Sequence, residues 1–350
     1  MAIDPLNLSC PVPIVDDEKI LLAHGGGGKL THALIKNIFL PEFRNQYLDQ
    51  LHDGAVVPFG RERLAMTTDS YVVSPIFFRG GDIGSLAVNG TVNDLAMCGA
   101  KPLFLSTGFI IEEGLPMETL RRIVRSMQEA ATCAGVLLIT GDTKVVDRGK
   151  ADKIFINTSG VGVIAQGIDI GPPRAKAGDK IILNGPIAQH GISIMSAREG
   201  LEFETLIESD TAPLNDLVNA MLDTGQEIHV LRDPTRGGVA SALNEIGESA
   251  HLGIKIDETS IPIAEEVRGA CELLGFDPLY VANEGKLLAL VESSHADEVL
   301  AVMRAHPLGK DSVIIGEVVA DHPGTVVMKT RIGSSRVVDM LSGEQLPRIC

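Results

Sequence analysis

The sequence predicts a two-domain α/β protein in which helices pack on a sheet in each half of the chain. The chain has 350 residues, which is more than one hydrophobic core usually holds. Strand-like and helix-like segments alternate from residue 19 onward, a pattern that favours helices packed on sheets. A change to a Gly/Pro-rich composition at residues 167–178, which include Gly171-Pro172-Pro173, separates the two halves.

Length and local composition divide the chain into four segments. The first is polar and rich in proline, and the last contains Pro347, which cannot continue an interior helix or a central strand. We therefore expect the last segment to be a mobile tail that carries the thiol of Cys350 at its tip and can enter a cleft. The segments are an extended arm at residues 1–18, an N-terminal domain at 19–166, a C-terminal α/β domain at 167–335 and the tail at 336–350.

In the first half, the spacing of apolar residues predicts each element in turn. Residues 83–97 have helical spacing, and residues 117–131 keep the i, i+3, i+4, i+7 pattern of an amphipathic helix. Pro116 suits the first turn of the second of these helices and Gly135 suits its end. The predicted order is strand 19–22, helix 30–39, strand 63–68, helix 83–97, strand 102–111, helix 117–131, a buried strand 136–140 and strand 153–165.

The second half shows the same alternation after the Gly/Pro-rich segment. Short apolar runs predict strands, and longer segments with a 3.6-residue period predict helices. The predicted order is strand 180–183, helix 212–223, strand 228–231, helix 238–250, strand 254–256, helix 265–274, strand 286–291, helix 296–305 and strand 311–319. This order predicts helices packed on a second sheet.

Composition and charge exclude several classes of function. The net charge of −16 opposes non-specific binding to nucleic acid, and the absence of Trp argues against stacking on bases. No apolar run approaches the roughly 20 residues of a membrane span, and the first residues lack a signal-peptide pattern. The five cysteines are scattered without a CxxC pair, so we predict neither a disulfide framework nor a zinc site. We expect a cytoplasmic protein that binds neither membranes nor nucleic acid.

A glycine-rich loop joins the first predicted strand to the first helix. It fits neither the P-loop nor the dinucleotide-binding pattern, because Leu30 stands where each pattern needs another residue. Four consecutive glycines still allow the backbone to approach an anion, with N–H groups exposed and a lysine beside them. A plain connecting loop explains the stretch equally well. The candidate nucleotide-binding residues here are Gly25, Gly26, Gly27, Gly28 and Lys29.

Four aspartates indicate a metal–nucleotide site more strongly. They are Asp69 after Thr68 at a strand end, Asp94 after Asn93 in an apolar helix, Asp142 after Gly141 at another strand end, and Asp233 between a strand and a helix. Carboxylates are the hard oxygen ligands that Mg²⁺ prefers. Any one of these residues is more simply explained as a helix cap or turn residue. The four together, with the glycine-rich loop, favour a site for Mg²⁺ and a nucleotide.

Two other charged residues are candidates for chemistry. Glu284 lies in Asn283-Glu284-Gly285-Lys286 ahead of an apolar strand, where it could serve as a general base or simply form a solvated turn. Lys144 follows Asp142 by two residues and is a surface lysine unless an anion lies nearby. The local sequence leaves both alternatives open.

The motifs as a set resemble the HypE family of hydrogenase maturation proteins, within the superfamily of aminoimidazole ribonucleotide synthetase, selenophosphate synthetase and thiamine-monophosphate kinase. The likeness covers roughly residues 19–350, and its most specific motif is the final Pro-Arg-Ile-Cys. The other motifs that carry it are the loop 24–28, Thr67–Tyr71, Asn93-Asp94, residues 110–118, Gly141–Val146, Asp233–Gly238 and Ala282–Lys286.

The resemblance implies a fold, a reaction and partners. It implies an N-terminal domain that forms a β-barrel with its copy at a homodimer interface, with ATP and Mg²⁺ between the domains. A carbamoyltransferase, HypF, would load a carbamoyl group onto Cys350, and the chain would dehydrate this S-carboxamide to a thiocyanate. The cyanide equivalent would pass to a HypC–HypD complex for the iron of [NiFe]-hydrogenase. Glu284, as the general base, and Lys144 would lie nearest to the Cys350 sulfur.

Three other functions remain open from the sequence. A selenophosphate synthetase would typically have a catalytic Cys or selenocysteine in its glycine-rich loop, and residues 24–29 contain none. A small-molecule kinase of the same superfamily would share the aspartates but has no use for a final cysteine. A non-catalytic carrier would hold on Cys350 a group that another protein had made.

Overall fold

The computed structural model describes residues 20–199, 207–342, 346 and 348–350, and in this part of the chain two β-sheets are covered by helices. The predicted arm at residues 1–18 lies outside the described residues. The helices are α1 (Lys29–Leu34), α2 (Leu40–Phe43), α3 (Ile83–Met97), α4 (Met117–Ala134), α5 (Gln189–Glu199), α6 (Asn215–Leu222), α7 (Gly238–Ala250), α8 (Glu265–Leu274) and α9 (Ala296–Ala305). No helix among the described residues is long and apolar enough to cross a membrane.

The strands alternate with these helices, as predicted. They are β1 (Ala55–Phe59), β2 (Glu62–Tyr71), β3 (Phe77–Phe78), β4 (Gly81–Asp82), β5 (Ala100–Glu112), β6 (Leu137–Val146), β7 (Ile154–Ile164), β8 (Lys180–Leu183), β9 (Ile228–Arg232), β10 (Gly253–Asp257), β11 (Leu288–Val291), β12 (Val313–Val319), β13 (Val326–Lys329) and β14 (Ser335–Val338).

The first sheet has the strand order β1-β2-β7-β5-β6 and carries α3 and α4. Helix α3 begins sharply because the Asp82 carboxylate accepts hydrogen bonds from the N–H groups of Gly84 and Ser85, at 2.7 and 3.0 Å. Such a cap satisfies backbone donors that have no partner within the helix. Nearly all of α3 is buried, so its polar residues must find partners inside the protein.

Strand β6 lies at the edge of this sheet and corrects one prediction. It was predicted to be buried, but Leu137, Ile139 and Val145 are 63%, 61% and 67% exposed. Its described pairing is with β5 alone, in parallel. The row of apolar residues that suggested a buried strand therefore faces outward from the single chain.

The second sheet has the order β14-β13-β10-β12-β8-β11-β9. Its centre is fully buried, with Ile181, Leu183 and Leu290 inaccessible to solvent. One hydrophobic cluster contains residues of both halves, including Tyr71 and Ile156 from the first sheet and Val230 and Leu288 from the second. The two halves therefore share one hydrophobic core, and closely packed side chains support the surfaces on both sides of the cleft between the halves.

Most predicted elements are confirmed, and α3, α7, α8 and α9 have the predicted bounds. Two predictions at the start of the chain are wrong in part. In the described part of the predicted strand 19–22, residues 20–22, no strand forms, and a 3₁₀ turn occupies Leu22–Gly25. The predicted helix 30–39 contains a π-helical turn at Ile35–Phe39 between α1 and α2. The helix α5 and the strands β1 and β13 had not been predicted, whereas β14 agrees with a strand-like run expected at residues 336–340.

The final residues are folded against the rest of the chain. The predicted tail 336–350 begins too early, because Ser335–Val338 forms β14 and pairs with β13. Leu346 and Ile349 are buried, and the N–H group of Val72 donates to the Cys350 main-chain oxygen at 3.0 Å. The structure thus shows the tip of the chain docked in a cleft of its own chain, as the sequence analysis had allowed. The mobility of the tail stays a prediction.

Candidate active site

A cavity of about 730 Å³ lies between the two halves of the molecule. Its walls come from the helical segment around α1, from β2 and α3, and from the connection between β9 and α7. Cys350 and Glu284 both line it, together with Thr68, Asp69 and Asp94. The size is that of a pocket for a ligand as large as a nucleotide.

Three carboxylates meet in this cavity. One oxygen each of Asp53, Asp94 and Asp233 lies within 4.8 Å of the others. Asp53 precedes β1, Asp94 lies on α3, and Asp233 follows β9. The Asp94 Oδ2 atom accepts a hydrogen bond from the Thr67 hydroxyl at 2.8 Å, which fixes its orientation.

Burial and mutual repulsion disturb the protonation of this cluster. Burial, followed by the charge of Asp53, raises the pKa of Asp233 to about 7. Burial and then Asp233 raise the pKa of Asp94 well above its ordinary value. Burial also opposes ionisation of Asp53, but Arg232 and then His52 outweigh it and hold the pKa of Asp53 below its ordinary value. The cluster therefore resists full ionisation unless a cation joins it.

The arrangement fits a divalent cation. Arg232 neutralises one side of the cluster, with its Nη1 atom 2.5 Å from Asp53 Oδ1, and it also contacts Glu245. The other oxygen of Asp53, Oδ2, is buried and has no hydrogen-bond partner among the described residues. Oxygen atoms of this kind, brought together from three segments, are the ligands that Mg²⁺ takes, alongside water and phosphate oxygens.

The glycine-rich loop lies beside the cavity. The guanidinium of Arg236 donates from Nη1 to the Gly25 carbonyl at 3.2 Å, and the loop packs against Arg236 so closely that a Cβ atom on Gly27 would lie 2.8 Å from the Arg236 Cβ. Gly27 also has a φ of +72°, which favours glycine. Lys29 forms an exposed ion pair with Asp339 at 2.6 Å. In this conformation the Lys29 charge is directed to Asp339.

Glu284 is the most deeply buried carboxylate next to the tip of the chain. It is 4% exposed, and its Oε1 atom has no hydrogen-bond partner among the described residues. Its main chain is fixed by Asp210 Oδ1, which accepts from the Glu284 N–H at 3.1 Å. Burial first, and then Asp233, Asp69 and Asp210, raise the pKa of Glu284 well above its ordinary value, while Arg236 opposes this. Such a carboxylate binds a proton strongly.

Cys350 lies at the junction of the main cavity and a smaller one of about 160 Å³. Gly25, Gly26 and Arg236 line the smaller cavity. Burial raises the pKa of the Cys350 thiol to about 12, although Arg236 acts in the opposite direction. The docked cysteine is therefore a neutral thiol with a guanidinium and a carboxyl group nearby.

The structure does not bring all of the predicted residues to the cavity. Gly141, Asp142 and Lys144 lie on the exposed strand β6, where Lys144 Nζ is 2.6 Å from Asp142 Oδ2, and none of the three lines the cavity of its own chain. Asn93 is buried, and its side-chain amide donates hydrogen bonds to the main-chain carbonyls of Ala212 and Glu284. Asn93 therefore holds the wall that carries Glu284, which differs from its predicted contact with a nucleotide.

Sequence reasoning missed Asp53, Arg232 and Arg236 as site residues. Asp53 lies in a short turn before β1, without a strand or helix pattern that would mark it. Arg232 and Arg236 flank Asp233 in a motif that was noted for its aspartate alone. The sequence did contain a signal for the two arginines. A buried carboxylate needs a cationic partner, and Arg232 and Arg236 are the arginines nearest in sequence to the predicted ligand Asp233.

Two family models match the chain. The one described as AIR synthase related protein, N-terminal domain, matches residues 51–164, and the corresponding C-terminal domain matches residues 176–329. The two matches together span most of the chain. They correspond to the first sheet and to most of the second sheet.

Individual relatives are similar over nearly the whole length. The carbamoyl dehydratase HypE of Cupriavidus necator is 54% identical over 334 residues, which are 95% of each chain. A chain in the crystal structure of a HypE–HypF complex has a TM-score of 0.85 and 51% identity, covering 88% of this chain and 100% of its own. A crystal structure of a HypE protein in complex with ATP has a TM-score of 0.80 and 49% identity, covering 95% and 100%.

Proposed function

The chain belongs to the HypE family of carbamoyl dehydratases, and from this premise we propose that it converts a carbamoyl group on the Cys350 sulfur into a thiocyanate at the expense of ATP. The cyanide group would then become a ligand of the iron in [NiFe]-hydrogenase. One observation carries the proposal: Cys350, Glu284 and the carboxylate cluster of Asp53, Asp94 and Asp233 meet in a single cavity.

The proposed reaction has two steps. The amide oxygen of the S-carboxamide attacks the γ-phosphate of ATP, which gives an O-phosphorylated imidate on sulfur and releases ADP and a proton. Departure of phosphate, together with removal of the remaining N–H proton, then forms the C≡N bond. The sum is one S-carboxamide and one ATP converted into one thiocyanate, ADP, phosphate and one proton. Phosphorylation is required because the amide oxygen is otherwise a poor leaving group.

Glu284 is suited to remove the nitrogen protons. Its Oε1 atom is buried without a partner and lines the same cavity as Cys350. A carboxylate whose pKa is raised by burial and by neighbouring acids is a stronger base once it is ionised. Arg236 acts against the burial and the neighbouring acids and so favours the ionised form.

The cavity is proposed to bind ATP together with Mg²⁺. Asp53, Asp94 and Asp233 would hold the cation, and Asp69 and Thr68 line the wall beside them. The cation would offset the phosphate charge, which this acidic chain cannot do by its overall charge. Arg236 would supply further positive potential at the end near Cys350.

A homodimer is proposed from the exposed face of the first sheet. Strand β6 presents Leu137, Ile139 and Val145 to solvent at an unpaired sheet edge, which proteins normally cover. A second copy paired along β6 would cover these side chains. We further propose that Asp142 and Lys144 serve the cleft of that second copy, because they lie outside the cavity of their own chain.

The proposed partners follow from the family. A HypF-type carbamoyltransferase would supply the carbamoyl group, as a HypE protein of 51% identity forms a complex with HypF. A HypC–HypD complex would accept the cyanide equivalent. All these steps, including ATP use, would take place in the cytoplasm.

Intact-mass measurements test the proposed reaction. Protein loaded by a HypF-type carbamoyltransferase should lose the mass of one water when ATP and Mg²⁺ are added, and the modified peptide should contain Cys350. Cys350→Ala should bind ATP but acquire no adduct. An adduct on Cys98, Cys133 or Cys271 would overturn the assignment. A carbamoyl adduct that persists with ATP present would favour the carrier function instead.

A further inference from the structure

We propose that His190 and Arg198 are positioning residues that latch the final residues of the chain and so hold Cys350 in the cleft. The inference rests on the proposed function for its chemical purpose, but the latch is defined by contacts that can be tested separately. Both residues lie on α5, which belongs to the C-terminal half, and neither lines the main cavity.

The docked residues bond to the segment that follows β2. Ser74 donates its N–H to the Arg348 carbonyl at 3.1 Å, and Val72 donates to the Cys350 main-chain oxygen at 3.0 Å. Neither segment is a β-strand, and Arg348 has a φ of +58°, outside the strand region. Two main-chain hydrogen bonds alone do not select one register for the tip.

His190 specifies the register at Ile349. The Nε2 atom of His190 lies 2.7 Å from the Ile349 carbonyl oxygen, and a carbonyl only accepts, so Nε2 carries the hydrogen. Nδ1 is 2.8 Å from the Ser209 hydroxyl, which then donates to it. Burial lowers the pKa of His190, in agreement with a neutral ring. Phe78 packs edge-on against this ring, with 5.6 Å between centroids, and restricts its rotation.

Arg198 joins the tail to the segment that follows β2. Its Nε and Nη2 atoms donate to the Ser74 carbonyl at 3.0 and 2.7 Å, and Nη2 also donates to the Arg348 carbonyl at 2.9 Å. One guanidinium thus contacts both the tail and the segment on which it docks. A lysine has a single nitrogen at its end and cannot hold this fixed fork of donors.

Apolar contacts complete the latch on the same helix. Leu346 and Ile349 are buried, and a Cβ atom on Gly191 would lie 2.9 Å from Leu346 Cδ1. The close approach of Leu346 to α5 therefore depends on glycine at position 191. The hydrogen bonds that His190 and Arg198 make with the tail go to main-chain oxygens, so the Cys350 sulfur is left to carry its chemical group. The latch fixes the chain without occupying the reactive atom.

The latch has a direct consequence for the order of events. A separate carbamoyltransferase needs access to the Cys350 sulfur, which is only partly exposed and faces the cleft while the tail is docked. Loading therefore requires the contacts of His190 and Arg198 to open, and dehydration requires them to close. Weakening the latch should speed access to the thiol and slow dehydration, whereas general destabilisation would not separate these two effects.

The test measures both quantities in four variants. Arg198→Lys and His190→Leu remove latch contacts, His190→Gln keeps a donor, and Arg125→Leu on the exposed face of α4 is the matched control. The first readout is the rate of Cys350 alkylation by iodoacetamide, followed by peptide mass so that exposed Cys133 is scored separately. Loss of a buried hydrogen bond should raise this rate about tenfold in Arg198→Lys and His190→Leu. His190→Gln should lie closer to wild type, and Arg125→Leu should match it.

The second readout is the single-turnover rate of dehydration on pre-carbamoylated protein at saturating ATP. It should fall by a similar factor in Arg198→Lys and His190→Leu, with ATP affinity unchanged and partial rescue in His190→Gln. A wild-type alkylation rate in both variants would overturn the latch. Wild-type dehydration would overturn the positioning role. If wild type itself fails to dehydrate, the proposed function fails, and the alkylation readout still decides on the latch.

Discussion

Two acidic regions of the molecule differ sharply, although the same sequence reasoning identified both. In the cleft, Asp233 is buried and its pKa is raised to about 7, first by burial and then by Asp53. On strand β6, Asp142 is exposed, and a hydrogen bond from Lys144, followed by one from the Thr143 N–H, lowers its pKa. Ionisation of Asp233 is unfavourable, and a bound cation would make it favourable. Ionisation of Asp142 is already stabilised by its neighbours Lys144 and Thr143.

The difference shows that the surroundings of an aspartate, more than its position after a strand, make it a ligand. Ionisation of a buried carboxylate among other carboxylates is unfavourable, and binding of a cation can remove this unfavourable free energy. An exposed carboxylate paired with a lysine ionises without such a penalty. If the buried cluster and strand β6 responded alike to substitution, this contrast would be wrong.

The largest effect is expected for Glu284→Gln. The change keeps the shape of the side chain but removes the proton acceptor, so dehydration of the carbamoylated protein should slow roughly 10²- to 10⁴-fold. ATP affinity should change little, because other residues hold the nucleotide. A time course of intact mass measures the rate. Dehydration at the wild-type rate would make Glu284 a structural residue only.

The next largest effect is expected at the carboxylate cluster. Asp94→Asn and Asp233→Asn should each weaken Mg-ATP binding by at least about tenfold, because a neutral amide is a poorer ligand than a carboxylate. Isothermal titration measures the affinity.

The same variants should not lower the unfolding temperature of the metal-free protein at pH 8. A raised folded-state pKa means that ionisation disfavours the fold, so this contribution to stability is present at low pH and lost as pH rises through the folded pKa. Removal of one charge should therefore leave stability unchanged or raise it. A large loss of stability, with Mg-ATP affinity retained, would mark the aspartates as structural caps.

A smaller effect is expected from pH. With the pKa of Asp233 at about 7, the cation must displace a proton at low pH and need not do so at high pH. Mg²⁺ affinity should therefore rise about tenfold between pH 6 and pH 8 from this group alone. Titrations in buffers of different ionisation enthalpy would count the released protons. Affinity that is flat over this range would contradict the raised pKa.

The smallest effect is expected for Asp142→Asn on the unfolding temperature of the single chain. Asp142 is exposed, and its partner Lys144 is exposed too, so the unfolding temperature should not change measurably. If β6 pairs with a second copy, Mg-ATP affinity should nevertheless fall in Asp142→Asn. Sedimentation measurements on Leu137→Asp, which should separate the copies, provide the control. Unchanged affinity would confine the site to one chain.

Regular elements were predictable from the sequence because their signals are local. The bounds of α3 follow from the Asp82 cap at its start, and those of α8 from Gly275, whose φ of +73° ends the helix. Helix α5 was missed because His190, Gly191, Ile192, Ser193 and Ile194 are all buried, so no one-sided apolar pattern exists. The periodicity that marks a surface helix is lost when a helix is enclosed.

The site was predictable only in part, because its members come from distant parts of the chain. Asp94 and Asp233 were predicted to be ligands from their residue type, but their meeting with Asp53 depends on how α3 packs against the second sheet. Asp142 has the same local signal and lies elsewhere. The place where the tip docks could not be predicted, since two of its hydrogen bonds come from the main-chain N–H groups of Val72 and Ser74, and main-chain groups carry no sequence signature.

Docking of the tip also affects how the protein withstands oxidants. The thiolate is the form of cysteine that peroxides and disulfides attack, and a thiol with a pKa of about 12 has roughly a thousandfold less thiolate at neutral pH than a free cysteine. The docked Cys350 is therefore protected from sulfenic acid and mixed disulfide formation between turnovers. Only a molecule with its tail released would be exposed to such damage. The docked position in the cleft thus shields the reactive sulfur.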